Sequence, residues 1–176
     1  KARAQLYLID GDDARAQADF ETLRRLSQAT GHPLVSEGWA YNQAGRYGAA
    51  IKLYTESIAK APTAVAYNDR CWARAQAGRE LRAALADCDK ALQLSPGKAY
   101  FLDSRGLVDL RLGRFDDAIV DYTAAIQGGV GPSSLYGRGL AELGKGEKAA
   151  GEADIAAAQK LDAKIGATYD RLGLRP

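Results

Sequence analysis

The sequence predicts an all-α solenoid of helical hairpins, and three observations carry that prediction. A glycine recurs at Gly45, Gly78, Gly113 and Gly146, at intervals of 33, 35 and 33 residues. Each opens a related phrase, "AGRYGAAIKLYTESIAKAP", "AGRELRAALADCDKALQLSP", "LGRFDDAIVDYTAAI" and "KGEKAAGEADIAAAQKLD", so the internal period is about 34 residues. On both sides of the glycine, apolar residues fall at helical spacing, as in "AYFLDSRGLVDLRL" before Gly113 and Phe115, Ala118, Ile119, Tyr122, Ala125 and Ile126 after it. Two amphipathic helices joined at a glycine turn make one unit, and a unit that cannot bury its apolar face alone stacks on its neighbours.

Residues 1–30 read as a partial N-terminal repeat, with Ala4, Tyr7, Gly11, Ala16, Phe20 and Leu23 in the places that later repeats fill. Residues 31–63, 64–98, 99–131 and 132–163 are four full repeats, and 164–176 a capping helix. Pro62 and Pro96 close the first two full repeats, because a residue without an amide hydrogen ends one helix and helps begin the next. The second repeat carries one extra residue in its turn, "GRELRAAL". The third ends without proline in "QGGVGPSS", which reads as a helix stop and a restart with Pro132 early in the next helix, a hinge being the alternative. The fourth has Gly151 in the alanine place and Ile155 in the aromatic place. In "AKIGATYDRLGL", Ile165, Tyr169 and Leu172 share one helical stripe, which suits a final helix covering the last repeat.

The chain resembles the tetratricopeptide-repeat family, in the form of a bacterial-type scaffold. The family pattern of a large residue, a small residue and an aromatic, then alanine, aromatic, alanine and proline, is met in the first full repeat. Its residues there are Leu34, Gly38, Tyr41, Gly45, Tyr47, Ala50, Tyr54, Ser57 and Pro62. The third repeat meets it with Leu102, Gly106, Gly113, Phe115, Ala118, Tyr122 and Ala125. The resemblance covers nearly the whole chain and implies a right-handed solenoid whose first helices line a concave groove for another protein or peptide.

Composition narrows the function classes. The 24 basic residues nearly balance 22 acidic ones and are interspersed with them, so no footprint for nucleic acid or an anionic membrane is present. No apolar run approaches the roughly 18 residues of a membrane span. The opening "KARAQLYLIDG", without methionine, reads as part of a longer chain. No enzyme is expected: there is no G-x-S-x-G, no phosphate loop and no H-E-x-x-H, and the one histidine, His32 beside Pro33, reads as a solvated cap residue. "IDGDD" lacks the alternating ligands of a calcium loop and reads as a helix cap through Asp12 or Asp13. No cofactor, metal or small-molecule ligand is expected.

The repeat register brings together two kinds of pair. Cys71 takes the small-residue place of one helix and Cys88 the aromatic place facing it, so they either form a disulfide or pack as buried thiols. A bridge across 17 residues is worth on the order of 3 kcal/mol in the loop-entropy model. It would suit a periplasmic or secreted protein, and free thiols a cytoplasmic one. Arg70, Arg105 and Arg138 share one place, and Asp87, Asp121 and Asp154 another; the first full repeat lacks both, having Glu37 and Leu53. Their joint presence and absence predicts a structural ion pair inside each repeat.

The resemblance implies that the residue after the small place points into the groove: Trp39, Trp72, Leu107 and Leu140. Asn42, Ala75, Leu110 and Leu143 lie three residues on. Asn68, Asp103, Gln43, Gln76 and Tyr136 would supply polar contacts to a bound segment. The alternative is that these residues pack adjacent helices, or that another part of the parent protein fills the groove. The lysine and asparagine with which some family members clamp acidic C-termini are replaced by Val35 and Trp39, so that clamp is absent. Arg74 and Asp109, in the aromatic place of successive repeats, are positioned to pair. The expected function is a protein-binding scaffold, or else a regulatory or substrate-presenting arm of a larger enzyme.

Overall fold

A computed structural model describes residues 2–26 and 33–176. The helices are α1 (Ala2–Ile9), α2 (Asp13–Leu26), α3 (Pro33–Gln43), α4 (Tyr47–Lys60), α5 (Ala64–Ala77) and α6 (Leu81–Leu94). They continue as α7 (Ala99–Arg111), α8 (Phe115–Gln127), α9 (Pro132–Lys145), α10 (Lys148–Leu161) and α11 (Ile165–Arg171). Each odd-numbered helix up to α9 packs on the even-numbered helix that follows it, giving five hairpins. His32 lies outside the described residues.

The turns inside the last four hairpins close in one way. Two amides return to the preceding helix: Gly45 to Asn42 and Arg46 to Tyr41, both at 2.9 Å, and likewise at Gly78/Arg79, Gly113/Arg114 and Gly146/Glu147. This paired closure needs a left-handed residue after the helix, and the glycines supply it, with φ of 72° at Gly45 and Gly113. In the second repeat the extra residue is Glu80, which adopts φ 53°; among the described residues no other non-glycine has positive φ. Thr63 caps α5 by accepting from the Ala66 amide at 3.2 Å, and Asp12 caps α2 by accepting from the Arg15 amide at 3.1 Å. In "QGGVGPSS" the helix stop is Gly128, followed by Gly129 at φ 91°, and Pro132 opens α9.

Small residues set how closely paired helices approach. A methyl group added at Gly38 would lie 2.7 Å from the Tyr54 ring, and one at Gly106 would lie 3.0 Å from the Tyr122 ring. Both rings are fully buried. The apolar core divides in two: Ala4, Leu8, Phe20, Tyr41 and Tyr54 under the first hairpins, and Leu107, Val108, Tyr122, Leu140, Ile165 and Tyr169 under the later ones.

Curvature follows from which helices touch. Successive first helices pack directly on one another, α1 on α3, α3 on α5, α5 on α7 and α7 on α9, while among the described residues successive second helices make no comparable contact. The first helices therefore lie on the shorter, inner side of the array.

Candidate protein-binding groove

The inner wall is a set of stripes, one per first helix. On α5 the stripe is Val65, Asn68, Trp72 and Gln76; on α7 it is Tyr100, Asp103, Leu107 and Arg111. Spacings of three and four residues put these side chains on one face. Among the described residues, the wall is open toward its α3 end. Trp39 is 50% exposed, Val65 and Tyr100 are also exposed, and Trp72 is half-buried. Sequence reasoning passed over Val65 and Tyr100, although each sits one turn before a residue already placed on the wall.

At the other end, the chain's own C-terminus covers the wall. The Tyr169 ring lies 4.7 Å from the Tyr136 ring, and its hydroxyl donates to the Ser133 carbonyl at 2.8 Å. Leu172 and Leu174 pack against the core cluster containing Leu107, Leu110 and Leu140. The Arg111 guanidinium reaches 61 residues along the chain to donate to the Leu172 carbonyl at 2.6 Å. The last helix thus packs on α9 and α10, and the turn after it reaches Arg111 of α7.

This placement corrects part of the expected groove. Leu107, Leu110, Tyr136 and Leu140 are buried beneath or beside the C-terminal segment, and none offers an open surface. Asn42 and Asn68 are buried too: Asn42 donates to Gln76 at 2.7 Å and ties α3 to α5, while Asn68 contacts Asp69. Asp103 is buried and accepts from Ser134. Of the expected polar contacts, Gln43 is exposed and Gln76 half-buried, and Leu143 is half-buried near the C-terminal Pro176. Burial pushes the Asp103 carboxyl up to about 6, against the lowering influence of the Ser134 and Ser133 hydroxyls. The Tyr169 hydroxyl is raised by burial first and then by that neighbouring carboxylate.

Behind the wall, a column of ion pairs runs through the array. Arg70 grips Asp87 with two N–H groups at 2.8 and 2.7 Å, Arg105 grips Asp121 at 2.7 and 2.8 Å, and Arg138 grips Asp154 at 2.5 and 3.1 Å. In each case the remaining nitrogen reaches the preceding repeat: Arg70 donates to Thr55 at 3.0 Å, Arg105 to Asp89 at 2.9 Å and Arg138 to Thr123 at 3.2 Å. One guanidinium therefore closes its own hairpin and fastens it to the previous one. The partial repeat has the same pair, Arg3 donating to Asp19 at 2.7 Å. Its signal was in the sequence, since Arg3 precedes Ala4 as Arg70 precedes Cys71. In the first full repeat the polarity reverses: buried Glu37 accepts from Arg24 of α2 at 2.8 and 2.7 Å, and burial raises its carboxyl despite that bond.

Arg74 and Asp109 do not pair. Arg74 turns toward its own hairpin, to Glu80 at 3.0 Å and to Asp87, and Asp109 lies 3.3 Å from Arg114. The turn after each first helix brings a charged residue back within reach, and that local partner outcompetes one in the next repeat. Cys71 and Cys88 are both fully buried and joined by a disulfide, with Sγ atoms 2.04 Å apart and Cα atoms 5.5 Å apart. Among the described residues no group of three or more His, Cys, Asp or Glu side chains is arranged to hold a metal, and no helix is long and apolar enough to cross a membrane.

No family model matches the chain. Among curated proteins, sperm-associated antigen 1 of Mus musculus is 36% identical over 83 residues, covering 47% of this chain and 9% of that protein. The Homo sapiens protein is 33% identical over 87 residues, covering 49% of this chain and 9% of its own length. The chain thus spans under a tenth of the curated relatives it matches. Solved structures align along most of it. A thermophilic TPR protein of Thermus thermophilus superposes with TM-score 0.74 and 21% identity, over 97% of this chain and 95% of that one. MamA from Desulfovibrio magneticus superposes with TM-score 0.70 and 15% identity, over 93% of each chain. A tetratricopeptide repeat protein of Parabacteroides merdae gives TM-score 0.67 at 17% identity, over 98% of this chain and 72% of that one. Repeat length, stacked hairpins and these superpositions together make the fold of this chain that of a tetratricopeptide-repeat array.

Proposed function

We propose that the chain is a non-enzymatic scaffold that binds a peptide segment or helix of another protein on its inner wall. The observation that carries this reading is the open end of the wall, where Trp39 stands half exposed in the place that half-buried Trp72 takes on the next first helix, and Val65 and Tyr100 are exposed on the stripes of α5 and α7. An exposed apolar surface of this kind marks an interaction site, and tryptophan is the side chain most often found at the energetic centre of one. The near-balanced charge supports a protein partner over a polyanion. The buried Cys71–Cys88 bridge supports an oxidising compartment.

The test is a pull-down with the intact chain against a Trp39→Ala/Trp72→Ala variant. Partners held by the first and lost by the second, with circular dichroism and melting unchanged, would support the reading; equal retention by both would overturn it. A second reading, an arm that presents a partner to a larger enzyme, is favoured by one observation: the curated matches are to short stretches of much longer proteins.

A further inference from the structure

The segment that closes the other end of the wall is held as a bound peptide would be. Its helix, Ile165–Arg171, is seven residues long, too short to be stable alone in water, so docking on the wall is what makes it helical. Ile165 and Tyr169 are its buried anchors, one turn apart, and Leu172 and Leu174 follow in the turn that closes the helix, where the Leu174 amide returns to the Tyr169 carbonyl at 3.0 Å. Its cross-wall polar links are two: the Tyr169 hydroxyl to the Ser133 carbonyl, and the Leu172 carbonyl to Arg111. Both wall partners are generic, a backbone acceptor and a guanidinium, so neither bond by itself requires this particular segment. The residues it covers belong to the same stripes that stand open around Trp39 and Trp72.

Arg111 has a further property. Among the described residues its donors meet only carbonyls, Leu172 at 2.6 Å and Gln76 at 3.5 Å, and its buried Nε meets no acceptor. A half-buried guanidinium pairs more strongly with a carboxylate than with a neutral carbonyl. The chain's own segment therefore leaves binding strength unused at this point.

We propose that residues 165–174 are a displaceable internal ligand, and that the partner of this half of the groove is a short helix with an aliphatic residue, an aromatic four residues later and a carboxylate placed against Arg111. This deepens the scaffold reading and rests on it. The segment holds its place by tethering, because a short covalent link gives it an effective concentration of millimolar order. An outside ligand wins by adding the charge that the internal one lacks.

The test uses the full chain and a synthetic peptide of residues 164–172 whose free C-terminal carboxylate falls where the Leu172 carbonyl now sits. Three results are expected. Amides of 165–174 exchange with solvent through an opening that leaves α7 and α9 protected. The acid peptide binds a Tyr169→Ala chain about tenfold more tightly than the unaltered chain, because the internal competitor is weakened. Amidating the peptide, or Arg111→Gln, removes most of that affinity. Equal affinity for the unaltered chain and a folded Tyr169→Ala chain would overturn the proposal. So would a concentration-dependent dimer that exchanges the segment between copies. Should Tyr169→Ala fail to fold, exchange in the unaltered chain decides alone: protection of 165–174 that is lost only together with α9 refutes displacement. Loss of partners on Trp39→Ala/Trp72→Ala alongside such exchange would retain the scaffold reading and reject only this one.

Discussion

Removing the Asp121 carboxylate tests whether the ion-pair column holds the array together. Asp121 is 4% exposed and accepts two N–H groups from Arg105, whose side chain is 30% exposed and keeps a further bond to Asp89. Breaking a buried pair by deleting one partner costs about 3–5 kcal/mol. Arg105 is partly solvated and retains Asp89, so Asp121→Ala should cost toward the low side, about 2–3 kcal/mol. For a chain of 176 residues each kcal/mol lowers the melting temperature by about 2–4 °C, so the expected drop is about 4–12 °C. Circular dichroism at 222 nm during heating measures it. The matched control is Asp19→Ala: its partner Arg3 has a side chain 72% exposed, so that pair is screened by solvent and its loss should leave melting unchanged. An Asp121→Ala chain that melts with the unaltered one, or an Asp19→Ala chain that falls as far, would refute the argument. Replacing both members, Arg105→Met with Asp121→Leu, should recover most of the loss, because no charge is then left buried and unpaired.

Three further outcomes are expected. Denatured protein without reductant should show no free thiol, and reducing the Cys71–Cys88 bridge should cost on the order of 3 kcal/mol; two titratable thiols would contradict the bridge. Glu80→Gly should raise stability by up to about 1 kcal/mol, because it relieves a left-handed backbone at φ 53° at the cost of an exposed contact to Arg74, and a lower urea midpoint would count against this. Burial pushes the carboxyls of Asp69 and Asp103 up to about 6 from an ordinary value of 3.8, so each favours the folded state when protonated. That contribution is complete below about pH 4 and is lost as pH rises through 6, so melting temperature should climb between pH 8 and pH 5; Asp103→Asn should flatten the climb, and a fall over that range would show the sign to be wrong.

How much was legible in the sequence depended on whether the repeat register fixed both partners of a contact. The hairpins were legible because a helix places residues three and four apart on one face and a glycine reverses the chain, and both signals repeat four times. The Cys71 and Cys88 places face each other for the same reason: within one hairpin the register admits little freedom. The third nitrogen of Arg70, Arg105 and Arg138 was passed over, although its acceptors Thr55, Asp89 and Thr123 share one place on the hairpin before, directly after the aromatic place, and each carries a side-chain oxygen. Not legible was the choice of Arg74 between Asp109 and Asp87, two carboxylates equally compatible with the pattern, which side-chain reach alone decided.

The sequence by itself determined the hairpin, its period and its internal pairings, since each depends on contacts between residues fewer than about 20 apart whose geometry a helix and a turn dictate. Only the tertiary structure decided what the inner wall offers. The stripe Ile165, Tyr169 and Leu172 would look the same on a helix that capped the array and on one that folded back along it. Which occurs depends on the wall that stacking builds, where Ser133, Tyr136 and Arg111, from two different repeats, meet the segment at once. That convergence turns a row of leucines into core at one end and leaves Trp39 facing solvent, with Trp72 half-buried, at the other.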